Sequence, residues 1–122
     1  MKLLEIVFAK ETKKEVVDTI VKIAEERLGK GIVYSNDVPA FVGNRIGAYN
    51  IMFLMQLIGQ YSIEEINSVF DKKFGYGGKP FSTCDLAGLD TFCHVIKYID
   101  KNTDDECNDI FKLPQFLLKL VE

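Results

Sequence analysis

Two side chains stand apart by their chemistry and their surroundings. Glu5 is the one carboxylate in an apolar run, and Asn44 follows a proline at the start of a long apolar stretch. Ionised carboxylates are rarely buried without a partner, so Glu5 either faces water from an edge strand or meets a donor from elsewhere in the fold. Pattern alone favours the solvated edge. Asn44 and Arg45 fall in the first turn of an expected helix, where free backbone N–H groups and the positive helix end favour a polar carbonyl or an oxyanion. Asparagine is also common at helix starts as a local cap, and spacing alone favours that reading. His94, the single histidine, sits mid-helix among apolar residues and reads as structural. Asp85 and Asp90 read as caps or packing-layer hydrogen bonders. Cys84, Cys93 and Cys107 are odd in number and lack Cys-x-x-Cys spacing, which indicates free thiols in a reducing compartment and no metal site.

The elements that must hold these groups follow from periodicity. Leu3 to Ala9 reads as a buried strand. Thr12 to Leu28 reads as an amphipathic helix, with Thr12 and Glu15 as a capping box and Gly29 as its end. Gly31 to Ser35 is a second strand, so residues 1–37 form a β-α-β unit with parallel strands. Two strands and one helix cannot cover both faces of a sheet, which suggests the tail of a larger doubly wound domain. Pro39 ends the second strand near Asp37 and begins a new element.

Val42 to Tyr61 is apolar on most sides, the pattern of a central helix enclosed by other helices or by a second subunit. Ser62 and Glu65 form a capping box for the next helix, whose buried stripe is Ile63, Ile66, Val69, Phe70 and Phe74, with Gly75 to Gly78 ending it. Pro80 suits a helix start, Gly88 a break, and Asp90 a fresh N-cap for a helix reaching about Asp100. A polar linker, Asn102 to Asn108, and a last helix opened by Pro114 complete the chain.

Composition narrows the classes. A chain of 122 residues with 48% hydrophobic and 27% charged residues has enough apolar matter for a folded core. The net charge of −3, with no basic cluster, argues against nucleic acid as a partner. The richest apolar run, Ile46 to Ile58, is broken by Asn50 and Gln56 and is too short for a bilayer, so no membrane is expected and a cytoplasmic location is.

The wording of two stretches is more specific. Asp37-Val38-Pro39-Ala40-Phe41-Val42-Gly43-Asn44-Arg45 resembles the segment joining the NAD-binding and helical domains in the L-3-hydroxyacyl-CoA dehydrogenase family, which usually reads Asp-x-Pro-Gly-Phe-x-x-Asn-Arg. Ala40 replaces the usual glycine, and Gly43 stands where an aliphatic residue is commoner. Pro80-Phe81 through Asp85-Leu86 to Gly88-Leu89-Asp90 is similar to that family's Pro-Phe-x-x-x-Asp-Leu-x-Gly-Leu-Asp. Met1-Lys2-Leu3-Leu4-Glu5 matches its Met-Lys-Leu-x-Glu.

The resemblance implies a mainly α fold: a helical 3-hydroxyacyl-CoA dehydrogenase C-terminal-type domain over residues 38–122, for substrate binding and dimerisation, preceded by a β-α-β remnant of a Rossmann NAD-binding domain over residues 1–37. It implies a fragment of an NAD-dependent enzyme that oxidises 3-hydroxyacyl-CoA to 3-ketoacyl-CoA in fatty-acid β-oxidation or butanoate metabolism. Glu5 would orient the catalytic histidine, which would precede Met1. Asn44 would donate to the reacting oxygen or on the nicotinamide side, serving both catalysis and substrate binding, and no cofactor-binding residue is assigned. The implied partners are an acyl-CoA substrate and a second copy of the chain. No Gly-x-Gly-x-x-Gly occurs, so this chain alone is expected neither to bind NAD nor to catalyse. The alternatives are a non-catalytic helical assembly module, or a relative acting on another hydroxy acid.

Overall fold

Runs of Leu, Ile and Val at the two ends of the first amphipathic segment pair as strands, as β-branched and apolar residues do on a half-covered sheet. The computed structural model describes residues 2–71 and 78–121. It places β1 at Leu3–Val7, α1 at Lys14–Glu26 and β2 at Gly31–Ser35. β1 and β2 are parallel, with Leu3 opposite Gly31, Glu5 opposite Val33 and Val7 opposite Ser35. Then come α2 (Gly43–Met55), α3 (Ile63–Val69), α4 (Pro80–Ala87) and α5 (Leu89–Asn102). A 3-10 turn at Asn108–Phe111 and α6 (Gln115–Val121) follow. The chain divides into two compact units, Met1–Asn44 and Arg45–Glu122.

In the first unit α1 is the crossover between the strands, and Ala24 is its one buried residue. Val16, Ile20 and Ile23 remain 46–49% exposed, so the helix buries little of its apolar face within this unit. The expected capping box does not form. Lys13 occupies the N-cap, no side chain caps the helix, and it runs only to Glu26. Thr12 instead donates its backbone N–H to the carbonyl of Ala9, which spends it on a turn one residue too early.

The second unit is helical, and its most buried residues lie on α5, where Ile96 and Ile99 are 0% exposed. The helix expected from Val42 to Tyr61 is shorter and less enclosed than its composition suggests. It ends at Met55, and Gly59 at φ 102° turns the chain into a conformation that a side chain disfavours. Ala48, Met52, Leu54 and Met55 are buried, whereas Ile46 is 58% and Phe53 48% exposed. An all-round apolar helix needs cover on every side, and the chain supplies it on one.

The Ser62 capping box forms in full: the Ser62 hydroxyl accepts from the Glu65 N–H and the Glu65 carboxylate accepts from the Ser62 N–H. Ile66 is buried in α3, while Ile63 and Val69 are exposed. Phe74, Gly75 and the rest of that expected helix end up to Gly77 lie outside the described residues. Asn67, buried on α3, accepts from the Phe81 N–H at 3.2 Å and so caps α4 from outside it. Pro80 sits in the first turn of α4, as its missing N–H allows. Gly88, at φ 92°, is the pivot between α4 and α5. Gly88 therefore holds the N-cap position expected of Asp90, which lies in the first turn of α5 instead. The supposed linker is half structured: Asn102 closes α5, and Asn108 ties the 3-10 turn back to it by donating to the Asp100 carbonyl.

Candidate functional site

The junction begins where β2 ends. Phe41 N–H donates to the Val38 carbonyl at 2.9 Å, closing a tight turn with Pro39 and Ala40 at its centre. Proline is preset for the first central position, and the second needs positive φ, the signature of a type II turn. Ala40 has φ 60° and Phe41 φ 50°, both left-handed and both non-glycine. The position where the resembling family carries glycine is thus the one whose backbone asks for it.

Immediately beyond, α2 begins with backbone N–H groups that no earlier turn can satisfy. Glu5 satisfies them from the middle of β1. One carboxylate oxygen, Oε1, accepts from the Val42 N–H at 2.6 Å, and Oε2 accepts from the Gly43 N–H at 3.0 Å. A Cβ at position 43 would lie 3.3 Å from Oε2, so glycine here leaves the carboxylate its room. The expected solvated edge carboxylate is instead a helix cap contributed by a strand 37 and 38 residues away in sequence.

These donors hold the Glu5 carboxyl below the usual glutamate range. The Gly43 N–H contributes most, then the Val42 N–H, then the Ser35 hydroxyl, against a small opposing effect of burial. Ser35 Oγ, however, has under 1 Å² exposed and makes no hydrogen bond of standard geometry. The two backbone bonds, at 2.6 and 3.0 Å, therefore hold the carboxylate. The carboxylate is ionised at neutral pH and retains acceptor sites, since each oxygen offers two lone pairs.

Asn44 is the second residue of α2 and exposed. Because Glu5 caps this end, the local capping role that spacing favoured for Asn44 is already filled. Glu5 and Asn44 are thereby brought together, separated by one residue of backbone at the helix start. Arg45 pairs with Asp105, which lies 60 residues on, in the segment before the 3-10 turn. Asp105 is half exposed, and an ion pair of that kind anchors geometry more than it adds stability.

The second informative stretch builds packing. Phe81, Asp85 and Leu89 line an apolar groove of about 210 Å³ together with Ile63, Phe116 and Leu117. Asp85 and Asp90 are exposed and neither caps a helix by a side-chain hydrogen bond. His94 is exposed, with Nδ1 2.9 Å from the Asp90 carbonyl. Cys84 and Cys93 are buried and unpaired; burial, with smaller contributions from Asp85 and Cys93, pushes the Cys84 thiol up to about 11. Cys107 is exposed and unpaired. Among the described residues no group of His, Cys, Asp or Glu is arranged to hold a metal ion, and no helix is long and apolar enough to cross a membrane.

Sequence reasoning missed four residues. The Val42 and Gly43 amides carry no side-chain signal, and Asp105 looked like one charge of a polar run. Ser35 had a signal: it lies two residues beyond the partner of Glu5 in a parallel register, on the same face.

Comparison with known proteins agrees with the resemblance. Residues 41–122 match the family model for the 3-hydroxyacyl-CoA dehydrogenase C-terminal domain. A probable 3-hydroxyacyl-CoA dehydrogenase of Bacillus subtilis is 35% identical over 125 residues, covering 100% of this chain and 16% of that protein. Another, of Deinococcus radiodurans, is 39% identical over 107 residues, covering 85% of this chain and 31% of that protein. The chain thus spans under a third of these relatives. Two solved structures share its fold over 99% of the chain and 42% of their own: M. tuberculosis FadB2, with TM-score 0.80 at 21% identity, and (S)-3-hydroxybutyryl-CoA dehydrogenase PaaH1 from Ralstonia eutropha, with TM-score 0.76 at 24%. Both likenesses concern fold. The family-model match extends from the junction turn through α6, and on it the chain belongs to the 3-hydroxyacyl-CoA dehydrogenase family.

Proposed function

We propose that this chain supplies the interdomain junction and helical half of an NAD-dependent L-3-hydroxyacyl-CoA dehydrogenase, which oxidises the 3-hydroxyl of an acyl-CoA to a ketone in fatty-acid or butanoate metabolism. Residues 1–37 are then the end of the NAD-binding domain and residues 38–122 the substrate-binding and dimerisation domain. The observation that supports the reading is the Glu5 carboxylate held by the Val42 and Gly43 amides, beside Asn44, at the start of the stretch that matches the family model.

In this reading Glu5 is a positioning residue. It remains ionised and fixed by two backbone donors, with acceptor sites left for the N–H of an imidazole, whose tautomer it would set and whose protonated form it would stabilise. His94 matches no motif that assigns it this role, and its Nδ1 lies 2.9 Å from the Asp90 carbonyl. Asn44 is the catalytic residue, its amide donating to the substrate oxygen as charge develops there.

The residues present do not fit NAD by themselves. The turn from β1 into α1 reads Phe8 to Lys13 without a glycine, and Lys13 leads into α1 with no side-chain cap. A pyrophosphate needs close backbone approach at such a turn.

The reading includes an acyl-CoA ligand, a homodimer through the helical unit and a cytoplasmic location. Leu86, 90% exposed within the second motif, and Leu120, 67% exposed, support a subunit contact. The three unpaired cysteines support a reducing compartment. Calorimetric titration of the chain with acetoacetyl-CoA and separately with NADH tests the assignment. Weak acyl-CoA binding that Asn44→Ala diminishes, with no NADH binding, is expected. NADH binding by the chain, or acyl-CoA binding indifferent to Asn44→Ala, would contradict it.

A further inference from the structure

We infer that Ser35 is a second positioning residue, whose hydroxyl donates to the Glu5 carboxylate as a third donor beside the Val42 and Gly43 amides. The register places it there. Glu5 faces Val33 across the parallel pair, and Ser35, two residues further along β2, projects from the same face as a diagonal neighbour. Diagonal neighbours are within reach when one side chain is long, as glutamate is.

The state of the hydroxyl gives the second support. Ser35 Oγ is shut off from solvent and is the one buried side-chain polar atom, among the described residues, that has no standard hydrogen bond. Buried hydroxyls take partners, and rotation about Cα–Cβ is the freedom that can turn this one toward an acceptor on the same sheet face. The cavity it lines is shared with Phe8, Tyr34, Asn36, Val38 and Val42, none of which carries a charge. Glu5 is an acceptor with two of its four lone-pair sites already used.

The electrostatics agree. The Ser35 hydroxyl is the third cause, after the Gly43 and Val42 amides, of the depressed Glu5 titration, and no charged side chain among the described residues contributes to it. Three uncharged donors then hold the carboxylate from strand and helix together. One lone-pair site remains, enough for a single imidazole N–H. That last consequence rests on the dehydrogenase reading of Glu5; the donor assignment does not.

The test is a carbon-detected NMR titration of the Glu5 carboxyl in the full chain, comparing wild type, Ser35→Ala and Ser35→Thr. The inference expects Ser35→Ala to raise the Glu5 midpoint and shift the Val42 and Gly43 amide protons, and Ser35→Thr to restore both. An unchanged midpoint in a folded Ser35→Ala would overturn it. Should alanine open the sheet, the volume-matched Ser35→Cys decides: a raised midpoint supports the assignment, and a wild-type midpoint sinks it. Acetoacetyl-CoA titration of the same samples reports separately, because loss of the dehydrogenase reading there leaves the Glu5 titration where it is.

Discussion

Glu5 Oε2 accepts a hydrogen bond from the Gly43 N–H at 3.0 Å, so a carboxylate in the middle of a strand caps a helix that starts 38 residues later. The same carboxylate bonds Val42 through its other oxygen. Two unpaired amides and an anion meet at the positive end of α2, where each satisfies the other.

This cap makes stability depend on acid in one direction. The folded Glu5 titrates below its unfolded value, so its contribution is complete above the unfolded value, about 4.3 for glutamate, and is lost as pH falls through the lower folded value. Urea unfolding of wild type and Glu5→Gln across pH 3 to 7 should show a constant advantage for wild type above roughly pH 5 that shrinks toward pH 3. A difference that grows on acidification contradicts the cap.

Ala40 at φ 60° offers a gain. Left-handed backbone costs a residue with a Cβ roughly 1 to 2 kcal/mol, and glycine gives back part of that through its freer unfolded chain. Ala40→Gly should stabilise by about 0.5 to 1 kcal/mol, read as a higher urea midpoint with an unchanged slope.

Asn67 should behave in the opposite way. Its amide oxygen is the partner of the Phe81 N–H at the start of α4, and Asn67 is 8% exposed. Asn67→Ala leaves that N–H without its partner and should cost roughly 1 to 3 kcal/mol. Asn67→Asp keeps the acceptor, and a loss as large as alanine's would show that the oxygen is not what matters.

Leu86 tests the proposed dimer. At 90% exposure it contributes almost nothing to the packing of its own chain. Sedimentation at micromolar concentration should give a dimer for wild type and a monomer for Leu86→Lys, with unfolding within about 0.5 kcal/mol of wild type, as for other surface changes. A monomeric wild type refutes the subunit contact.

Elements whose signals are local could be read from the sequence. β1 and β2 follow from short apolar runs, although β1 stops at Val7 and not at Ala9; the Ser62 capping box follows from residues three apart, and Pro80 marks its helix start by chemistry alone. Thr12 and Glu15 carry the same local signal as Ser62 and Glu65 and fail, because a turn to Ala9 claims the Thr12 backbone first. Apolar composition runs on through Ile58 and hides the end of α2, because beyond Met55 the backbone tightens into turns in which Gln56, Leu57 and Ile58 bond three residues back, before Gly59 at positive φ. At the site, Glu5 and Asn44 could be named, but their relation could not: the link is a pair of backbone amides, which have no letter in a sequence. The Arg45 partner Asp105 was illegible for the same reason of distance along the chain.

Under the proposed function, Glu5 and Asn44 act together at a dehydrogenase site. The most direct measurement is acetoacetyl-CoA reduction, followed by NADH absorbance, with the chain alone and with the chain joined to an upstream dinucleotide-binding segment. No turnover is expected of the chain alone, and turnover is expected of the joined protein. Glu5→Gln and Asn44→Ala should each lower kcat/KM by on the order of 100-fold. Turnover by the chain alone, or undiminished activity in both joined variants, would contradict it.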